Sequence, residues 1–100
     1  MTNSEKVYQY LKKIPKGKVL TYSRLAKLVG MKSPRVIGNI LHRNPTPVVV
    51  PCHRVVNIQG KVAENFGGGG AKRQIELLET EGVKVIKNKV DLAKYLWNLH

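Results

Sequence analysis

Proline and glycine punctuate this chain so regularly that only short elements fit between them. Pro15 and Gly17, Gly30, Pro34, the pair Pro45 and Pro47, Pro51, Gly60, the run from Gly67 to Gly70, and Gly82 each stop or bend what precedes them. Several of the intervening segments carry apolar residues at helical spacing. "NSEKVYQYLKKI" offers Asn3 or Ser4 as an N-cap and sets Val7, Tyr10, Leu11 and Ile14 on one face. After the short extended link "KVL", Thr21 or Ser23 caps a second helix carrying Leu25, Ala26, Leu28 and Val29, which ends at Gly30. Ser33 and Pro34 open a third with Val36, Ile37, Ile40 and Leu41, ending near Arg43. Two short helices about a glycine-containing turn make a helix-turn-helix.

The second half is more broken. "VVVPCHRVV" is rich in β-branched residues, but Pro51 lacks the N–H that a continuous central strand needs. A turn falls at Gly60. "AKRQIELLETEG" is a further helix with Ile75, Leu77 and Leu78 inward and Gly82 as its C-terminal cap. "VKVIKNKV" is a short hairpin turning at "KN", and Asp91 caps a last helix, "LAKYLWNLH", that offers Leu92, Tyr95, Leu96 and Leu99 for packing. The expected architecture is mainly α with a small β element, in one domain over residues 1–100. A chain of this size buries roughly 60 to 70% of its unfolded surface, enough for one modest core.

No apolar stretch approaches the roughly 20 residues that span a bilayer, which argues against a membrane role. "MTNSEKVYQY" lacks the features of a secretory signal, and a single cysteine cannot form an intrachain disulfide. The expected setting is an intracellular reducing compartment, cytoplasmic or nuclear. Charge points to the partner. Eighteen Lys and Arg against six acids give +12, and no acid occurs between Glu5 and Glu64. A field of this sign attracts polyanions, and the cations are spread over several elements instead of one amphipathic face, which favours nucleic acid over a lipid surface.

Cys52, in "VPCHRVV", stands beside His53 and Arg54. A thiol needs a neighbouring base or positive field to act as a nucleophile at neutral pH, and these two residues are candidates for each. Consecutive residues of a regular strand point to opposite faces and could not share a proton, so the bend at Pro51 matters. From these residues alone Cys52 is either a buried apolar filler or a reagent.

The wider pattern resembles the C-terminal, active domain of the O6-alkylguanine-DNA alkyltransferases. The similarity runs through "GKVLTYSRLAKLVG", "PRVIGNILHRNP", "VVVPCHRVV", the glycine-rich stretch after "VAENF", "ELLETEG" and "VDLAKYLW". Family members commonly carry an N-terminal domain for which this sequence has no counterpart. The resemblance implies a winged helix-turn-helix-like fold and a single-turnover transfer of an alkyl group from guanine O6 to Cys52, without cofactor, metal or ATP. His53 would be the base acting through a water, and Glu81 the carboxylate that orients it. Asn44 would fix the turn leading to the active segment, and Tyr22 would donate to the purine and crowd the flipped nucleotide.

Val55 and the residues Phe66, Gly67 and Gly68 would line the base pocket; relatives often have a tyrosine and a hydroxyl residue at the positions of Phe66 and Gly67. Arg35 would intercalate in place of the flipped nucleotide, with Tyr22, Ser23, Gly38, Asn39 and Arg54 completing the DNA contacts. The implied partner is duplex DNA bearing O6-alkylguanine, held in the minor groove without sequence specificity by a monomer. An alternative is an alkyltransferase-like protein that binds the lesion without transfer, although those proteins typically replace the acceptor cysteine.

Overall fold

The structure, a computed structural model, describes residues 2–43, 50–63 and 70–98. Helix α1 (Asn3–Lys13) is capped by Thr2, not by Asn3 or Ser4. The reason is a capping box: the Glu5 N–H donates to Thr2 Oγ1 at 3.1 Å while the Thr2 N–H reaches back to Glu5 Oε1. Val7, Leu11 and Ile14 are buried along one face. The end of the link that follows proves to be β1 (Leu20–Thr21), where the sequence predicts only an extended connection.

Thr21 caps α2 (Tyr22–Leu28) by accepting the Arg24 N–H. Helix α3 (Pro34–His42) starts with proline in its first turn and buries Ile37, Ile40 and Leu41. Val36 falls at the edge of that stripe and is 41% exposed, so it is not the core residue its spacing predicts. Helices α2 and α3 pack on each other, and the Tyr8 hydroxyl of α1 donates to the Ile40 carbonyl at 3.1 Å. The helix-turn-helix is therefore braced from behind.

Pro51 ends any extended run as expected: Cys52–Arg54 form one 3-10 turn before β2 (Val55–Val56). Strand β2 pairs parallel with β1, Leu20 opposite Val55 and Thr21 opposite Val56. Parallel neighbours require a crossover, and α2 and α3 lie within it. Because adjacent strand residues face opposite ways, Leu20 and Val55 enter one core with the first three helices while Val19 and Val56 enter a second. That second core holds Val62, Leu78, Val83 and Val90.

Helix α4 (Gly70–Thr80) closes as the sequence predicts. The Val83 N–H returns to the Leu78 carbonyl, the Gly82 N–H to the Glu79 carbonyl, and Gly82 takes φ +88. Strands β3 (Val85–Ile86) and β4 (Lys89–Val90) form the expected hairpin, with positive φ at both Lys87 and Asn88 as a twisted two-residue turn requires. It seats on the turn at Gly60, where a Cβ would collide with the Val90 carbonyl. Asp91 caps α5 (Leu92–Tyr95) through the Ala93 N–H.

This last helix is one turn long instead of running to the end of the chain. The Val19 N–H donates to the Tyr95 carbonyl and the Trp97 N–H to the Val19 carbonyl, so the backbone after Tyr95 is spent on a bridge to Val19. Leu99 lies outside the described residues. Mainly helical, with two small sheets among the described residues, the architecture agrees with the expected fold class.

Candidate active site

The 3-10 turn resolves the geometric difficulty of Cys52 and His53. With three residues per turn, consecutive side chains fan out by about 120° instead of alternating across a strand. Cys52, 8% exposed, turns into the first core; His53, 1% exposed, and Arg54, 8% exposed, turn toward the end of α4. The turn is held by its own backbone, with the Cys52 N–H on the Val50 carbonyl at 2.8 Å and the Arg54 N–H on the Pro51 carbonyl at 3.1 Å.

Glu81 sits just past α4, where the helix dipole is unfavourable for an anion. Arg54 compensates with a bidentate fork: Nε donates to Oε1 at 2.9 Å and Nη2 to Oε2 at 2.6 Å, while Nη1 donates to the Ile14 carbonyl at 2.6 Å. Burial works to raise the Glu81 carboxyl, but the Arg54 and His53 partners outweigh it and hold the group below its ordinary range. Glu81 is a carboxylate at neutral pH. Arg54 is thereby corrected from a DNA contact to an internal clamp, because its guanidinium is buried and spent on these three bonds.

His53 Nε2 approaches Glu81 Oε2 to 3.1 Å, although the ring is turned off the hydrogen-bond line. Nδ1 makes no hydrogen bond among the described residues. Burial pushes the imidazole below its ordinary pKa, more than the nearby carboxylate raises it. At neutral pH His53 is therefore uncharged and able to accept a proton, with an anion in place to stabilise the charge it would gain.

Tyr22, the first residue of α2, packs beside the core that contains Cys52. Burial first, and Cys52 second, keep its hydroxyl above the ordinary phenol range, so it remains a donor. Ser23 follows, half-buried. On α3 the outward positions are Arg35 and Asn39, one helical turn apart and both exposed, with Gly38 beside them and open space above its Cα. Asn44, Phe66, Gly67 and Gly68 lie outside the described residues.

The Val55 side chain is wholly buried, its N–H donates to the Cys52 carbonyl, and its own carbonyl accepts from Gln74 Nε2 at 2.9 Å. Gln74 is the residue that sequence reasoning missed. Fully buried on α4, it accepts the Ala63 N–H and donates to the carbonyls of both His53 and Val55. The available signal was a polar residue four positions before Leu78, on the buried stripe of the helix. Among the described residues no three His, Cys, Asp or Glu side chains converge as metal ligands would, and no helix is long and apolar enough to cross a membrane.

Comparison with known proteins adds three findings. The family described as 6-O-methylguanine DNA methyltransferase, DNA binding domain, matches residues 2–83. A methylated-DNA–protein-cysteine methyltransferase of Thermococcus sibiricus is 48% identical over 83 residues, which is 80% of this chain and 44% of that protein. The chain thus spans less than half the length of that curated relative. Among solved structures, the O6-methylguanine-DNA methyltransferase of the archaeon Pyrococcus kodakaraensis superposes with a TM-score of 0.72 at 43% identity, over 83% of this chain and 47% of that one. S. pombe Atl1, solved with damaged DNA containing O6-carboxymethylguanine, superposes with a TM-score of 0.88 at 34% identity, over 97% and 95%.

Proposed function

Since this chain belongs to the 6-O-methylguanine DNA methyltransferase family through its DNA-binding domain, we propose that it repairs DNA by moving an alkyl group from guanine O6 onto Cys52. The observation that carries this reading is the placement of Cys52 and His53 on one 3-10 turn, with His53 facing the Glu81 carboxylate and its Arg54 clamp. In the reaction the bond from guanine O6 to the alkyl carbon breaks as the sulfur–carbon bond forms. The thiol proton passes to His53 Nδ1 through a water, and the imidazolium is stabilised by Glu81. Charge developing on the departing purine is met by the Tyr22 hydroxyl. The thioether is stable to water, so each molecule acts once.

The alkylated base is out of reach while stacked, so it has to be turned out of the duplex at a cost of a few kcal/mol. Arg35 would fill the gap, with Ser23, Gly38 and Asn39 allowing close approach of the backbone in the minor groove. Asn44 would hold the turn before the active segment, and the Val55 carbonyl with Phe66, Gly67 and Gly68 would receive the base. Affinity would come from phosphate contacts by a monomer and decline with salt. A reducing compartment, cytoplasmic or nuclear, would keep the thiol available.

Incubation with duplex DNA containing O6-methylguanine is expected to add one methyl group to the peptide containing Cys52, and Cys52→Ala to abolish transfer while retaining lesion binding. A second reading, lesion binding without transfer, is favoured by the nearly end-to-end match to Atl1. An unmodified peptide recovered from fully bound protein would establish that reading in place of the first.

A further inference from the structure

Gln74 belongs to no step of the reaction proposed above, yet both ends of its side-chain amide are bonded beside the turn that carries Cys52. It is 0% exposed on α4 and spans three backbone groups from two separate segments. Its Oε1 accepts the Ala63 N–H at 2.8 Å; its Nε2 donates to the His53 carbonyl at 3.0 Å and to the Val55 carbonyl at 2.9 Å. The partners fix the orientation of the amide, since two carbonyls demand the NH2 group and an N–H demands the oxygen. Every donor of that NH2 group is used.

The two carbonyls flank the peptide that joins Arg54 to Val55, at the exit of the 3-10 turn. That turn is what lets neighbouring side chains diverge, with Cys52 entering the core and His53 meeting Glu81. An extended backbone here would send them to opposite faces. Backbone bonds run through the turn, from the N–H groups of Cys52 and Arg54 to the Val55 N–H on the Cys52 carbonyl, and at its exit α4 adds the two bonds of Gln74 from outside. The same helix leads to Glu81. One element therefore supplies both the carboxylate that faces His53 and the amide that fixes the backbone of His53.

We infer that Gln74 is a positioning residue for Cys52 chemistry: it locks the exit of the 52–54 turn so that the thiol and the imidazole keep a geometry in which a proton can pass between them. The Ala63 N–H aims the amide and the amide aims the turn. Burying a glutamine costs free energy unless its polar atoms are paired, and here all three bonds are made. A hydrophobic residue of the same length would fill the space without holding the carbonyls. This inference rests on the alkyl-transfer reading for its role in repair, but its effect on the thiol can be read without DNA.

The experiment compares Gln74→Met, Gln74→Glu and Gln74→Lys with the wild-type chain. Met fills the space with no hydrogen bond, Glu keeps the acceptor but loses both donors, and Lys keeps donors for the two carbonyls. Three quantities are measured: the rate of methyl transfer from O6-methylguanine duplex, the pH profile of Cys52 alkylation by iodoacetamide, and the folded fraction from thermal unfolding. Per folded molecule, Met and Glu are expected to slow transfer at least tenfold and to change the pH profile, while Lys stays within about threefold of wild type with an unchanged profile. Wild-type rates and profiles in folded Met and Glu variants would overturn the inference and leave Gln74 a structural residue only. If one of these two does not fold, the other carries the comparison. If wild-type protein fails to methylate itself, the repair reading falls, whereas the pH profiles still decide the role of Gln74.

Discussion

Two arginines divide the molecule. Arg35 stands exposed on the outer face of α3, and Arg54 is buried with all three nitrogens of its guanidinium bonded. Both lie in the acid-free stretch and look alike as sequence. The difference lies in what packs around them: α3 turns its apolar stripe toward α1 and α2, leaving Arg35 to solvent, whereas the 52–54 turn points inward and meets the end of α4. A basic surface that attracts a polyanion and a basic interior that sets up a carboxylate are separate uses of one charge.

The sharpest way to break this contrast is to remove each guanidinium in turn. Arg54→Met leaves a largely buried Glu81 carboxylate without its fork, a loss expected to cost about 3–5 kcal/mol. The thermal midpoint should fall by more than about 10 °C, against a change within about 0.5 kcal/mol for Arg35→Met. Denaturant melts of the two variants decide it, and similar losses would mean that the interior clamp contributes no more than surface charge.

A smaller effect is expected from acid. His53 has its folded pKa below the ordinary 6.5 and Glu81 below the ordinary 4.5. In each case the unfolded chain takes up the proton first as pH falls, so stability contributed by these groups is present above the ordinary value and is lost on acidification. The first loss begins below about pH 6.5 from His53 and the second below about 4.5 from Glu81. Urea midpoints measured from pH 8 to 3 should decline in this order, and Glu81→Gln should remove the lower step. A flat profile through both windows would contradict the arrangement of charges described for the site.

Smallest in stability but selective in function is Arg35→Ala. Repair of a lesion in duplex DNA is expected to fall about tenfold, the order of one lost charged contact, while reaction with free O6-alkylguanine base stays within about twofold. Single-turnover rates on both substrates test this. Equal losses on the two would place Arg35 in the chemistry and not in base flipping.

Local signals were legible wherever local chemistry decides structure. The glycine stop at Gly82, the "KN" hairpin, the Asp91 cap and the three apolar stripes could all be read from neighbours a few residues apart. Their weak points were also local: Thr2 displaced Asn3 and Ser4 because Glu5 completes a capping box with it alone. What sequence could not supply were pairings between distant segments. β1 and β2 are two residues each, too short for any periodicity, and exist only because Leu20 meets Val55. The last helix is cut short by Val19, far away in the chain.

The site shows the same division. Cys52, His53, Glu81 and Tyr22 could be named through a family resemblance, and three of these four meet at short range or share one turn. Arg54 was misassigned because nothing in "CHRV" shows that its guanidinium turns inward to Glu81 and Ile14. Gln74 passed unnoticed since its partners are backbone groups, which every sequence possesses and none advertises.

The β1–β2 pairing has a mechanical consequence. The span holding α2 and α3 leaves from one strand and returns to its immediate neighbour, so its two ends are pinned side by side. A helix pair tethered in this way is held against swinging out as an arm while the thiol stays behind. In the encounter with a duplex proposed above, strain would therefore pass to the nucleic acid, and the protein would serve as the rigid jig against which the duplex is bent open.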